Sequence, residues 1–141
     1  MRTFTRLHGT AGGATLRQLT SGAVMTKQHY SGGCQCGSIT YETKADLDHT
    51  FICNCSRCKR LGMVLAFVPR QDFHLINDGP VSEYLFNKMV IHHLFCPTCG
   101  VEAYARGIGP DGLEMVAVNV NCLDGVDPRS LNSIAIDGAS A

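Results

Sequence analysis

Hydrophobic and polar positions along this chain alternate in short stretches, with a period of two and almost no period of 3.6. Ile39, Tyr41 and Thr43 alternate with Ser38, Thr40 and Glu42, which predicts a strand with one buried face. His49 to Cys53 reads as a second short strand. Met63 to Val68 is the longest apolar run, suited to a strand covered on both faces, and Pro69 stops it. Phe73 to Ile76 follows and ends in the turn run Asn77-Asp78-Gly79-Pro80. Ser82 to Phe86 and Val90 to Phe95 predict neighbouring strands, with Asn87-Lys88 between them. Val101, Ala103 and Ala105 oppose Glu102, Tyr104 and Arg106, Gly107 to Gly112 is a loop, and Val116, Val118 and Val120 make a further apolar face. The one helical turn falls near Ser56 to Leu61. The pattern predicts a mainly β domain of about eight short strands.

Residues 1–24 depart from this pattern. They hold Arg2, Arg6 and Arg17 and no acidic residue; the first is Glu42. Such a start reads as an organelle transit peptide or as an extension ahead of Met25. The extension is the preferred reading, and we expect this segment to be poorly ordered. The domain is then 25–126, and 127–141, small and polar, reads as a loose C-terminal tail. The 141 residues suit one domain, and the formal net charge is zero. With the three N-terminal arginines set aside, nine basic residues face twelve acidic ones, a mildly acidic balance that argues against nucleic acid as a partner. No apolar stretch approaches the ~20 residues that span a bilayer. The expected setting is cytoplasmic.

Eight cysteines change the picture. Cys34-Gln35-Cys36, Cys53-Asn54-Cys55-Ser56-Arg57-Cys58 and Cys96-Pro97-Thr98-Cys99 are tight clusters, and Cys122 stands alone. Disulfide frameworks spread cysteines to link distant segments, whereas close clusters converge thiolates on a point, as a metal requires. Residues 1–24 hold no continuous apolar run of the kind a secretory signal carries, so we expect no such signal. Cys34, Cys36, Cys96 and Cys99, each pair set in glycine-rich turns, make a four-thiolate set with no open position, which is structural zinc chemistry. Cys53, Cys55 and Cys58 supply three thiolates and no adjacent fourth, the pattern of a zinc that keeps an exchangeable position. His49, His92, His93 and Cys122 are candidate fourth ligands; each could equally be an ordinary core or surface group. Arg57, Lys59 and Arg60 crowd this cluster and would favour an anionic ligand there, or simply form a solvated turn. Four sulfurs also suit iron, so zinc rests on thiolate chemistry and on the likeness that follows.

The runs Gly32-Gly33-Cys34-Gln35-Cys36-Gly37, Cys53-Asn54-Cys55-Ser56-Arg57-Cys58 and Phe95-Cys96-Pro97-Thr98-Cys99-Gly100, with the closing Asn119-Val120-Asn121-Cys122-Leu123-Asp124, resemble the glutathione-dependent formaldehyde-activating enzyme family, which includes the centromere protein V group. The resemblance covers about residues 28–125. It implies a β-tent fold of the Mss4-like type with short antiparallel strands, and two zinc ions per chain. Cys34, Cys36, Cys96 and Cys99 would hold the structural one. Cys53, Cys55 and Cys58 would hold the second, whose fourth position takes water or a thiol and so makes these three the catalytic set. The implied partners are a small thiol such as glutathione and a small aldehyde, and the implied activity is that of a carbon–sulfur lyase. Asn54 stands where the formaldehyde-activating branch typically has His, and this form looks more like the centromere protein V branch. The alternative function is therefore a non-catalytic zinc-binding interaction module.

Overall fold

The computed structural model describes residues 27–141; the expected N-terminal extension lies outside them. The chain builds two sheets. β1 (Gln28–Gly33), β2 (Ile39–Ala45) and β5 (Phe73–Asp78) form a three-stranded antiparallel sheet in the order β1-β2-β5. β3 (Thr50–Cys53), β4 (Leu65–Pro69), β6 (Ser82–Tyr84), β7 (His92–Phe95), β8 (Glu102–Ile108), β9 (Glu114–Asn119) and β10 (Ser133–Ile136) form the second, in the order β10-β3-β4-β9-β8-β7-β6. Its pairings are antiparallel except that of β10 with β3, which is parallel. One six-residue α-helix, α1 (Ser56–Leu61), follows β3. The mainly β, antiparallel expectation holds.

The core lies where the two sheets meet. Alternation along β2 buries Ile39, Tyr41, Thr43 and Ala45, as the period-two pattern requires. Tyr41, Phe73 and Tyr104 form an aromatic triangle from both sheets, with ring centroids 4.7, 4.8 and 6.3 Å apart, an edge-and-tilt arrangement that aromatic quadrupoles favour. Burial pushes the Tyr41 phenol far above its ordinary range, and its hydroxyl donates to the Ala103 carbonyl at 3.3 Å. From the large sheet, Ala66, Val68, Val116 and Val118 complete the packing.

Three features depart from the sequence reading. Gln28–Gly33 forms β1 although it lacks a strong apolar period: its strand identity comes from pairing with β2. In β8 Glu102 through Ala105 are all buried, so the polar face expected at Glu102 and Tyr104 does not reach solvent. The segment 127–141 is not a loose tail. Ser133–Ile136 pairs with β3, and Thr50 and Ser133 hydroxyls meet at 2.8 Å beneath it. A strand edge left open at β3 is a template for pairing, and this segment fills it.

Candidate metal centres

The first cluster joins the two sheets. Cys34 and Cys36 sit in the turn between β1 and β2, and Cys96 and Cys99 in the turn between β7 and β8. Both turns use glycine in the left-handed region, Gly37 at φ 84° and Gly100 at φ 80°, where a Cβ would be strained. The turns close through the Gly37 N–H on the Cys34 carbonyl at 3.4 Å and the Gly100 N–H on the Cys96 carbonyl at 2.7 Å. Amide groups then face the sulfurs: Ile39 N–H donates to Cys34 Sγ at 3.3 Å and Cys99 N–H to Cys96 Sγ at 3.5 Å. The four sulfurs lie within 4.8 Å of one another. Cys36 Sγ is 3.7 Å from Cys34 Sγ and 3.6 Å from Cys96 Sγ. A tetrahedron of thiolates at ~2.3 Å from zinc has edges of about 3.8 Å, so this donor set fits a zinc ion.

Ser38 is a member of this site that the sequence reading passed over. Its hydroxyl stands 3.1 Å from Cys96 Sγ, 3.4 Å from Cys36 Sγ and 3.7 Å from Cys34 Sγ. The Ser38 hydroxyl, helped by the Cys99 amide, lowers the Cys96 thiol to about 5. Its position directly after the Gly37 turn was the signal available in the sequence.

The second cluster is local. Cys53 ends β3, Cys55 caps α1, and Cys58 lies in the first turn of that helix. The Cys55 N–H donates to Cys53 Sγ at 3.4 Å and the Cys58 N–H to Cys55 Sγ at 3.3 Å. Cys58 is buried with Met63 and Leu65, against which Cys53 and Cys55 pack. Burial raises the Cys58 thiol well above its ordinary range. Burial is the largest single influence on Cys55 and acts to raise it, but the hydrogen bonds from the Cys58 and Arg57 amides and the Cys58 and Cys53 thiols together outweigh it and draw that thiol down. The three sulfurs lie within 4.8 Å of one another, and among the described residues no fourth Cys, His, Asp or Glu joins them.

The candidate fourth ligands are committed elsewhere. His49 Nδ1 meets Asp46 at 2.7 Å, and His92 is held by Glu83. His93 Nδ1 lies 3.2 Å from a carboxylate oxygen of Glu102. Cys122 Sγ is 4.0 Å from the Glu102 carbonyl oxygen, and burial raises its thiol to about 12. Nor does Arg57 turn to the cluster: its Nε and Nη2 donate to Glu102 Oε1 at 2.9 and 2.8 Å, and its guanidinium stands 4.9 Å from the Tyr84 ring centroid. A buried carboxylate thus pairs with Arg57 and His93, as a buried charge must, and ties α1 to β8. A cavity of about 510 Å³ is bordered by Gln35, Leu61, Met63, Glu102, Asn121 and Cys122.

Fold and site together define a small, mainly β protein with two cysteine clusters able to hold metal ions. A family model described as "Glutathione-dependent formaldehyde-activating enzyme" matches residues 29–135, and the chain belongs to that family. A putative glutathione-dependent formaldehyde-activating enzyme of Aspergillus terreus is 28% identical over 87 residues, covering 55% of this chain and 46% of the relative. The chain therefore spans about half the length of that curated relative. A solved Rhodobacter sphaeroides protein superposes with a TM-score of 0.66 at 29% identity, over 74% of this chain and 97% of that one. No helix among the described residues is long and apolar enough to cross a membrane.

Proposed function

We propose that this chain is a zinc-dependent carbon–sulfur lyase-like enzyme that adds a small thiol to, or removes it from, the carbon of a small aldehyde. Cys34, Cys36, Cys96 and Cys99 hold a structural zinc, and Cys53, Cys55 and Cys58 hold a second with an exchangeable position. The observation that carries the reading is the contrast between a complete four-sulfur set and a three-sulfur set that no fourth donor joins among the described residues, with His49, His92, His93 and Cys122 engaged elsewhere. Family membership supports glutathione and formaldehyde as the first pair to assay.

Zinc at the second cluster would supply a thiolate at neutral pH from a bound thiol. Three cysteine thiolates would give that ion a net negative charge, which would weaken its pull on a carbonyl and favour thiolate delivery over carbonyl activation. The Cys55 and Cys58 amides fix the directions of the Cys53 and Cys55 sulfurs. In the addition, a carbon–sulfur bond forms, the carbonyl π pair moves to oxygen, and oxygen takes the proton the thiol lost. The reverse breaks the carbon–sulfur bond and returns thiol and aldehyde.

The test is zinc content with and without Cys55→Ser, followed by a thiol titration. Two zinc ions per chain, falling to one in a variant that still folds, with a thiol-dependent change at the second site, is the expected result. A second zinc indifferent to thiols would turn the assignment toward a non-catalytic interaction module of the centromere protein V type.

A further inference from the structure

Residues 137–140 lie directly on the second cluster. Asn54, between Cys53 and Cys55, holds them with its backbone and both ends of its amide. Its N–H donates to the Ile136 carbonyl at 3.3 Å, its Nδ2 donates to Asp137 Oδ1 at 2.9 Å, and its Oδ1 accepts from the Ala139 N–H at 2.9 Å. Between these grips the chain passes so close that a Cβ on Gly138 would stand 2.4 Å from Cys53 Sγ and 3.4 Å from Cys55 Cβ. Only a residue without a side chain fits there. Met63 and Leu65 pack with Cys58 and against Cys53 and Cys55. Neither the 510 Å³ cavity nor a second of about 320 Å³ beside Arg70 and Tyr104 is bordered by Asn54 or by any of the three cysteines. The family match ends at residue 135, just ahead of this covering segment.

We propose that Asn54 and the segment Asp137–Ser140 select the thiol at the second cluster: they wall its Cys53 flank, so that its exchangeable position takes a compact thiol and disfavours one as large as a tripeptide. The inference rests on the reading of the second cluster as a thiol-binding zinc site. Asn54 is a positioning residue, acting through the segment it holds. The segment is tied down by parallel pairing with β3 on one side and by the Asn54 amide on the other, so loss of the amide grip frees its end without undoing β10.

The test uses the full chain with cobalt in place of zinc and follows the thiolate-to-cobalt absorption during titration. The probes are 2-mercaptoethanol and glutathione, and the readout is the ratio of their dissociation constants, which cancels general effects on metal affinity. In the native chain the ratio favours 2-mercaptoethanol. In Asn54→Ala it falls by about tenfold, an energy of about 1.4 kcal/mol. Asp137→Ala, at an exposed position whose loss does not threaten the core, moves it the same way by a smaller factor. Gly138→Val, which cannot seat against Cys53, matches or exceeds Asn54→Ala. A ratio that favours glutathione, or one that all three variants leave unchanged while both thiols bind, overturns the selecting role and leaves the thiol-binding reading standing. No absorption change with either thiol overturns both.

Discussion

The two cysteine clusters are built at opposite scales, and the difference predicts different jobs. The first draws its ligands from turns on separate sheets, with Cys34 and Cys36 some sixty residues from Cys96 and Cys99. Closing so long a loop removes much freedom from the unfolded chain, and here the closure also joins the two faces of the core. The second cluster takes its ligands from six consecutive residues, Cys53 to Cys58, and joins only a strand end to a short helix. A metal there would close no long loop, so it would contribute less to folding and be the freer of the two to exchange a ligand.

The sharpest way to break this comparison is to remove one ligand from each. Structural zinc sites contribute ~10–16 kcal/mol in small peptides, as much as the whole stability of an ordinary domain, about 5–15 kcal/mol. We expect Cys96→Ser to lose cooperative unfolding and both metals, read by circular dichroism in urea and by metal content. Cys55→Ser should retain a cooperative transition and one zinc. Equal behaviour of the two variants would remove the distinction between the sites.

The next effect concerns the link between the clusters. Glu102 is nearly inaccessible, pairs with Arg57 from α1 and His93 from β7, and its carbonyl accepts from Asn119 Nδ2 at 2.9 Å. Breaking a buried ion pair by removing one partner costs about 3–5 kcal/mol. Glu102→Gln should therefore lower the urea midpoint by that equivalent while both zinc ions remain bound. Zinc loss confined to the second cluster would show instead that the Arg57 tether holds the metal loop in place.

A smaller effect isolates the first cluster. The Ser38 hydroxyl contacts three of its sulfurs, and groups that orient metal ligands in this way are worth about 10–100-fold in affinity. Ser38→Ala should weaken zinc at the first cluster by that factor in a chelator competition and leave the second cluster unchanged.

How much of this was legible in the sequence follows from the range of the forces involved. The alternation at Ile39, Tyr41 and Thr43 marked β2 because the pattern and the burial share one local cause. The spacing of seven cysteines marked two groups, and the structure brings each group within bonding reach of one ion. Residues whose roles depend on distant partners were not legible. Glu102 looked like a solvent-facing strand residue, because nothing nearby announces that Arg57 and His93 converge on it. The segment 127–141 looked loose because its strand is specified by the open edge of β3, some eighty residues earlier, and by Asn54 rather than by its own apolar period.

The smallest effect is expected at Cys122, the cysteine outside both clusters. It borders the 510 Å³ cavity, so position alone makes it a rival fourth ligand or a nucleophile. Its environment argues otherwise. Burial raises its thiol to about 12, so at pH 8 the thiolate fraction is on the order of one in ten thousand, and thiolate is the reactive form. Its sulfur rests on the Glu102 carbonyl rather than beside Cys53, Cys55 or Cys58. Cys122→Ala removes one partly buried sulfur from the edge of the core and should cost about 1 kcal/mol, in the range of ordinary substitutions. Both zinc ions and the response to thiols should be retained. In the zinc-loaded protein, iodoacetamide at pH 8 should modify Cys122 far more slowly than a free cysteine. Loss of the second zinc in Cys122→Ala would make Cys122 the missing fourth ligand, close the site that the first cluster's completeness is set against, and remove the exchangeable position on which the proposed chemistry depends.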